Sequence, residues 1–200
     1  MAFPPAPERF FASDNFSGTH PRYLQAIEIA NYGHVRAYGG DDYTKKAVAL
    51  FQHLCDEDVE VLFTFNGTGS NIVALGSLLG PAESVICSEW AHIHVDETGA
   101  PEHALGIKLQ DVPAPDAKVT PEHVHALAGA IGNVHHVQPG VVSITQATEL
   151  GTLYSIEEIK TLCDVAHSYG MRVHLTVRVF PMQPLHLAAM RPHFVRKLSE

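Results

Sequence analysis

The sequence has little of three features that would narrow its class. Its 200 residues contain three cysteines, and no apolar run approaches the ~20 residues of a membrane helix. Basic residues are also few, because 13 Lys and Arg stand against 22 Asp and Glu, for a net charge of −9. Nucleic-acid binding needs clustered Lys and Arg, so this charge argues against nucleic acid as the main partner. Three scattered cysteines predict reduced thiols, not a disulfide framework, and favour a cytoplasmic protein.

What is present is the composition of a soluble globular chain, 46% apolar and 18% charged. The amino terminus lacks the charged and apolar regions of a signal peptide. Apolar runs alternate with capped amphipathic segments, which predicts an α/β fold with three layers, α/β/α, around a mainly parallel sheet. The second helix should turn Val48, Leu50, Phe51 and Leu54 inward. Helices are predicted at 21–32, 43–54, 70–79, 121–131 and 156–169, and strands at 60–65, 84–87, 106–112, 141–145 and 171–175.

A glycine-rich turn between the first predicted strand and the following helix is a candidate anion site. It reads Asn66-Gly67-Thr68-Gly69-Ser70-Asn71. Its glycines would let the backbone approach a ligand, and the unpaired N–H groups of a helix start attract negative charge. No Lys follows the second Gly, so the turn is not a P-loop. An ordinary capped turn with no ligand remains the alternative.

Two histidines follow the next predicted strand, in Ala91-His-Ile-His-Val-Asp-Glu97. His92 and His94, with Asp96 or Glu97, have the residue types of a metal site, although the sequence offers no obvious third ligand. One ring could instead stack on an aromatic cofactor that lies over the glycine-rich turn. Half-buried loop histidines without a ligand are the third possibility in a chain with 14 His.

The regular alternation of elements ends between Leu175 and Thr176. A helix closed by Gly170 leads into a short strand, 171–175, and the residue just past such a strand is a frequent place for a catalytic carboxylate. Thr176 occupies that position, and a tail without periodicity follows it. The sequence therefore indicates an arm at 1–20, a domain at 21–175 and an aberrant tail at 176–200.

Several motifs, in their order and spacing over about residues 11–175, resemble those of the low-specificity threonine aldolases. These belong to the β-eliminating lyase group of pyridoxal-phosphate enzymes, which have the aspartate-aminotransferase-like fold. The resemblance implies that this chain is the truncated large domain of that fold. The motifs are Ser13-Asp14-Asn15, Tyr38-Gly-Gly-Asp-Asp42, Asn66-Gly-Thr-Gly-Ser-Asn71, Ala91-His92 with Asp96-Glu97, Gln146-Ala-Thr-Glu-Leu-Gly151, and the strand that ends His174-Leu175.

The resemblance also implies roles for individual residues. Gly67 and Thr68 would bind the phosphate of pyridoxal 5′-phosphate. His92 would stack on the pyridine ring and help to deprotonate the substrate hydroxyl. Ser13 would bind the substrate carboxylate, and Tyr38 would lie in a loop near the active site of a neighbouring subunit. No metal is expected, and the full-length enzyme should be a homo-oligomer.

Two groups that the family needs are missing from this sequence. The family places a pyridine-binding carboxylate in a His-x-Asp-Gly-Ala-Arg segment, where this chain reads His174-Leu-Thr-Val-Arg-Val179. Its Schiff-base lysine has a Ser/Thr-x-x-Lys-Gly context, which Lys197 lacks. Codons for the segment from Thr176 onward, read with one base restored, can encode Asp-Gly-Ala-Arg. A frameshift, natural or from sequencing, is therefore expected at this point. The alternative is a divergent homologue with an unrelated ending, and sequencing the gene across codon 176 would decide between the two.

The resemblance therefore implies a lyase that cleaves threonine-type β-hydroxy-α-amino acids to glycine and an aldehyde. The 200-residue chain itself should be inactive without the lysine and the carboxylate. Two alternatives stay open at this point. One is another pyridoxal-phosphate enzyme that catalyses β-elimination, decarboxylation or desulfuration. The other is a non-catalytic remnant or interaction module with an unpaired sheet edge.

Overall fold

The structure, a computed structural model, describes residues 16–55 and 59–177. The chain divides into two compact units after Val48. No helix within these described ranges is long and apolar enough to cross a membrane.

The first unit contains helix α1, Pro21–Ala30, and the start of α2, Asp42–Cys55. Pro21 suits the first position of α1 because an N–H group at that position would have no partner within the helix, so its absence costs nothing. Just before α2, the Asp41 carboxylate accepts hydrogen bonds from the Thr44 hydroxyl at 2.7 Å and the Thr44 N–H at 2.8 Å. These bonds lower the pKa of Asp41. Both predicted helices are confirmed, although α1 ends two residues early.

The second unit is built on a sheet of four parallel strands in the order β2-β1-β3-β4. The strands are β1, Glu83–Ser88; β2, Lys108–Val112; β3, Gln138–Gln146; and β4, Arg172–Val177. Five further helices lie between and around them. They are α3, Gly67–Leu78; α4, His92–Val95; α5, Ala100–Leu105; α6, Pro121–Ala128; and α7, Ile156–Ser168.

Alternating side chains of the strands bury both faces of this sheet. On one face, Val85 and Cys87 of β1 pack in a cluster with Leu75 of α3. On the other face, Ile86 of β1 packs in a cluster that contains Leu162 of α7. Because successive side chains of a strand point to opposite faces, helices must cover both sides. The three-layer α/β/α prediction with a parallel sheet is confirmed.

Helix α7 begins where its sequence predicts. The Ser155 hydroxyl accepts the Glu158 N–H at 3.2 Å, and the Glu158 carboxylate accepts the Ser155 N–H at 2.6 Å. This reciprocal capping box satisfies two of the N–H groups that a helix start leaves unpaired. Together with the Lys118 ammonium at 2.9 Å, it lowers the pKa of Glu158 to about 2.

Two sequence predictions in this unit are wrong. Residues 60–65 do not form a strand, and Phe65 is fully exposed. In the second half of α2, Leu50, Phe51 and Leu54 are also exposed. Both predictions assumed neighbouring elements that would cover these apolar side chains. Within the described part of the chain, no strand pairs with residues 60–65 and no residue of α2 is buried.

Candidate active site

The candidate site lies where the parallel strands end. Strand β1 leads into α4, which begins at His92, and β3 leads into the turn that contains Glu149. Thr176 is the second-last residue of β4. Because the carboxyl ends of parallel strands meet at one edge of a sheet, these residues share that edge, which is where α/β proteins bind ligands.

The start of α3 presents backbone donors to this edge. The Asn66 side chain caps the helix by accepting the Gly69 N–H at 2.8 Å, and its backbone carbonyl accepts the Ser70 N–H at 3.0 Å. The N–H groups of Gly67 and Thr68 precede any intrahelical acceptor, so they remain available as donors at the positive end of the helix dipole. The start of α3 therefore has the donor pattern of a phosphate site.

The surroundings of Gly67 and Thr68 also suit an anion. A Cβ atom built on Gly67 would meet no atom of the described residues within 4 Å, so the backbone is open to close approach. The first turn of α3 contains no acidic residue. Nearby, Thr64 and Ser70 share a short hydrogen bond between their hydroxyl groups. A phosphate group fits this turn in both space and charge.

His92 is held at two points by carboxylates from different segments. Its ring Nδ1 lies 2.8 Å from Oε1 of Glu97, and its backbone N–H donates to Oε1 of Glu149 at 2.9 Å. The His92 side chain remains 35% exposed. The ring is thus fixed in place while part of its surface stays accessible to a ligand.

A hydrogen-bond network centred on the buried Glu97 joins His92 to the glycine-rich turn and to the end of β4. Asn71, one turn into α3, donates from Nδ2 to Oε1 of Glu97 at 2.6 Å. The Thr176 hydroxyl donates to Oδ1 of Asn71 at 2.9 Å. The Glu97 side chain is fully buried, and its Oε2 atom has no hydrogen-bond partner among the described residues. Three segments that are distant in sequence are thereby brought together.

Two further site residues are predicted from the sequence, Tyr38 and Ser13. Tyr38 lies in the first unit, fully exposed and with a φ of 58°. Ser13 lies outside the described residues. The assignments of Gly67, Thr68, His92, Ser13 and Tyr38 to cofactor or substrate therefore stay predictions.

Two other kinds of site at this edge would be a metal centre and a nucleophilic cysteine. The described residues contain no group of three His, Cys, Asp or Glu side chains placed to hold a metal ion. Cys87 is buried in β1, and its burial, followed by the charges of nearby carboxylates, raises the pKa of its thiol to about 12. Since the thiolate is the reactive form, Cys87 is a packing residue and not a nucleophile.

Sequence reasoning missed the roles of Asn71 and Glu97. The sequence offers Glu97 as a possible metal ligand, whereas in the structure its carboxylate binds Asn71 and His92. One signal was available for Asn71, a polar residue at the head of the apolar segment Ile72-Val-Ala-Leu75. A polar side chain that is buried in such a helix needs a partner. The identity of that partner depends on tertiary structure.

Comparison with known proteins agrees with this geometry. The Beta-eliminating lyase family matches residues 11–179. A low specificity L-threonine aldolase from a Pseudomonas species is 44% identical over 166 residues, which cover 82% of this chain and 48% of that protein. The protein of the same description from Pseudomonas aeruginosa is 43% identical, with the same coverage. The chain therefore spans about half the length of the curated relatives it matches.

Solved structures give the same result. The threonine aldolase of Leishmania major superposes with a TM-score of 0.76 at 32% identity, covering 80% of this chain and 47% of that one. An aromatic amino acid beta-eliminating lyase/threonine aldolase from Exiguobacterium, named as putative, shares the fold with a TM-score of 0.57 at 20% identity, covering 80% and 45%. The parallel α/β fold, the glycine-rich turn and these similarities lead to one conclusion: the chain belongs to the beta-eliminating lyase family.

Proposed function

We propose that this chain binds pyridoxal 5′-phosphate at the start of α3 and forms part of a lyase that cleaves threonine-type β-hydroxy-α-amino acids to glycine and an aldehyde. The observation that carries the proposal is the turn at Gly67 and Thr68, tied through Asn71 and Glu97 to the ring of His92. The relatives named above as threonine aldolases support the reaction class. A cytoplasmic location and a homo-oligomeric full-length enzyme are parts of the same proposal.

The residues present fit the cofactor in part. The N–H groups of Gly67 and Thr68 would donate to the phosphate oxygens, and the Thr68 hydroxyl adds a third donor. The partly exposed ring of His92 offers a flat surface for an aromatic ring. The Nε2 atom of His92 would accept the proton of a substrate hydroxyl. When bound, pyridoxal phosphate supplies an electron sink for cleavage next to the α-carbon. Ser13 and Tyr38 would bind the substrate, with Tyr38 acting in a neighbouring subunit.

The sequence does not provide the family's groups for attaching the cofactor covalently and for keeping its pyridine nitrogen protonated. Thr176 holds the position of the family's carboxylate, and no lysine of the 200-residue sequence has the family's context. We therefore propose that residues 176–200 are an aberrant, out-of-frame tail and that this chain binds the cofactor without catalysing the reaction.

Ligand-dependent thermal stability tests the binding proposal. Pyridoxamine 5′-phosphate is the preferred probe because it cannot condense with surface lysines. A ligand that binds only the native state stabilises it by about 2.7 kcal/mol at 100-fold excess over Kd. We expect a rise in Tm with pyridoxamine 5′-phosphate and a much smaller rise with pyridoxamine, since the phosphate makes the main contacts.

The variant Gly67→Ala locates the binding site. Its new methyl group meets no described atom within 4 Å, so the ligand-free Tm should be unchanged or slightly higher. The same methyl group would project toward the phosphate, and most of the ligand-induced rise in Tm should be lost. Gly129→Ala, in the second unit at the end of α6, is the matched control and should keep the full rise. Equal responses of the two variants would refute binding at this turn.

Catalytic inactivity is tested with pyridoxal 5′-phosphate itself. After borohydride reduction, we expect only scattered, substoichiometric labelling of lysines, and no release of glycine from threonine above that of free cofactor. The reason is that no lysine of the 200-residue sequence stands in the family's Ser/Thr-x-x-Lys-Gly context. Stoichiometric labelling of one lysine, mapped by mass spectrometry, would overturn the inactivity proposal and leave the binding proposal intact.

A further inference from the structure

We propose that Glu97 is the positioning residue of this site: it holds the neutral ring of His92 with its proton on Nδ1 and leaves Nε2 as the hydrogen-bond acceptor. The inference deepens the proposed function, because it specifies which ring nitrogen His92 can offer to a substrate hydroxyl. It rests on the hydrogen-bond network among Asn71, Glu97, His92 and Thr176, of which Asn71 and Glu97 are buried.

The polarity of the network follows from its donors. Oε1 of Glu97 lies 2.6 Å from Nδ2 of Asn71 and 2.8 Å from Nδ1 of His92. An amide nitrogen can only donate, so Oε1 acts as an acceptor toward Asn71. A carboxylate has no proton to donate, so the same oxygen of ionised Glu97 also accepts from His92, which requires a proton on Nδ1. In a neutral imidazole, Nε2 is then the unprotonated nitrogen.

Asn71 and Thr176 fix the orientation of the hydrogen bonds on the side of Glu97 away from His92. Because Nδ2 of Asn71 faces the carboxylate, its Oδ1 faces the Thr176 hydroxyl, which donates to it at 2.9 Å. Every hydrogen bond of this network is thus donated in the direction of Glu97. A reversed Asn71 amide would place Oδ1 against Oε1 of Glu97, and two acceptors at 2.6 Å would repel each other. The Asn71 orientation and the His92 tautomer are therefore coupled.

Burial makes the preference strong. The Glu97 side chain has no exposed surface, so water cannot replace its contacts with Asn71 and His92. Loss of a hydrogen bond inside such a site costs about 1–3 kcal/mol, which exceeds the small intrinsic preference of an imidazole for either tautomer. The backbone bond from His92 to Glu149 fixes the start of α4 and does not involve the ring. The start of α4 and the tautomer of the His92 ring are thus set by two different carboxylates.

The tautomer can be measured directly in the cofactor-free chain. Long-range ¹H–¹⁵N correlation spectra at mildly alkaline pH distinguish Nδ1–H from Nε2–H rings, and loss of signals in His92→Asn assigns the residue. We expect a wild-type His92 ring that is mainly Nδ1–H. In Glu97→Leu, which keeps the volume but removes the acceptor, the ring should revert mainly to the Nε2–H form that an unconstrained histidine side chain prefers.

Glu149→Gln is the matched control, because it alters a carboxylate that also contacts His92 but only at its backbone. It should keep the Nδ1–H form. A wild-type ring that is mainly Nε2–H would overturn the proposal even if Glu97→Leu failed to fold. An Nδ1–H ring in folded Glu97→Leu would overturn it as well. Failure to bind pyridoxamine 5′-phosphate would refute the proposed function without altering the tautomer, so the two failures are distinguishable.

Discussion

Gly140→Ala should lower the free energy of unfolding by about 3 kcal/mol. Gly140 lies in β3 at an irregularity in its pairing with β1, where Ser84 pairs with Pro139 but Val85 pairs with Val141. A Cβ atom on Gly140 would lie 2.5 Å from Oε2 of Glu83 and 2.9 Å from its Cβ. The carboxylate end could swing away, but the Glu83 Cβ atom is bonded directly to the backbone of β1 and cannot.

The cost also includes the bonds that Glu83 would lose. Its Oε2 atom accepts the Gly80 N–H at 2.6 Å and lies 3.1 Å from Nη1 of Arg172, at the start of β4. Urea denaturation monitored by circular dichroism measures the change. The control is Gly129→Ala, whose nearest atom would be the Ala126 carbonyl oxygen at 3.6 Å, so its stability should change little. Equal midpoints for the two variants would contradict the packing argument.

A double variant separates the steric cost from the polar one. Glu83→Ala removes two of the three atoms that would crowd a new Cβ on Gly140. The effects of Glu83→Ala and Gly140→Ala should therefore add up to more than the effect of the double variant, because contacting residues are not additive. Strict additivity would show that the substitution at Gly140 acts elsewhere.

The parts of the fold that sequence predicts well are those with local causes. Helix α7 begins at its capping box because Ser155 and Glu158 satisfy each other's N–H groups without help from the rest of the chain. Strand β3 is an apolar run whose side chains are covered on both faces by helices of the same unit. In both cases the residues that determine the structure lie in, or next to, the element itself.

The strand predicted at 60–65 does not form, because strand formation depends on partners outside the segment. Val61-Leu-Phe-Thr-Phe65 has the composition of a buried strand, but strand formation needs a neighbouring strand with free N–H and C=O groups. No described element supplies one, and Phe63 instead packs edge to face against Phe51 of α2. Composition predicts that a segment can form a strand, whereas the rest of the fold decides whether it does.

The candidate site likewise has parts that the sequence predicts and parts that only the structure shows. The turn at Gly67 and Thr68 and the ring of His92 are recognisable because their chemistry requires particular residue types in a row. The link between them is not, since Asn71 and Glu97 are 26 residues apart and Thr176 is 105 residues beyond Asn71. Sequence motifs thus predict the ligand-binding groups, and the structure shows which side chains hold those groups in place.

His174 should make the chain markedly less stable in mild acid. It lies in β4, is buried, and has its Nδ1 atom 2.9 Å from the Ser143 hydroxyl. Burial disfavours the charged ring and lowers its pKa from 6.5 to about 4. Between these two values the unfolded chain binds a proton that the folded chain does not, so stability falls as the pH falls. The loss amounts to about 3 kcal/mol and is complete once the pH is below the folded pKa.

Other acidic and basic groups also titrate in this range, so the prediction concerns a difference between two proteins. His174→Gln stays neutral and can still hydrogen-bond to Ser143, and every other group is shared with the wild type. Urea denaturation at a series of pH values should show the variant less stable by a constant amount above about pH 7. That difference should shrink by about 3 kcal/mol as the pH approaches 4. Parallel stability curves over the whole range would mean that the buried ring of His174 does not stay neutral in the folded chain.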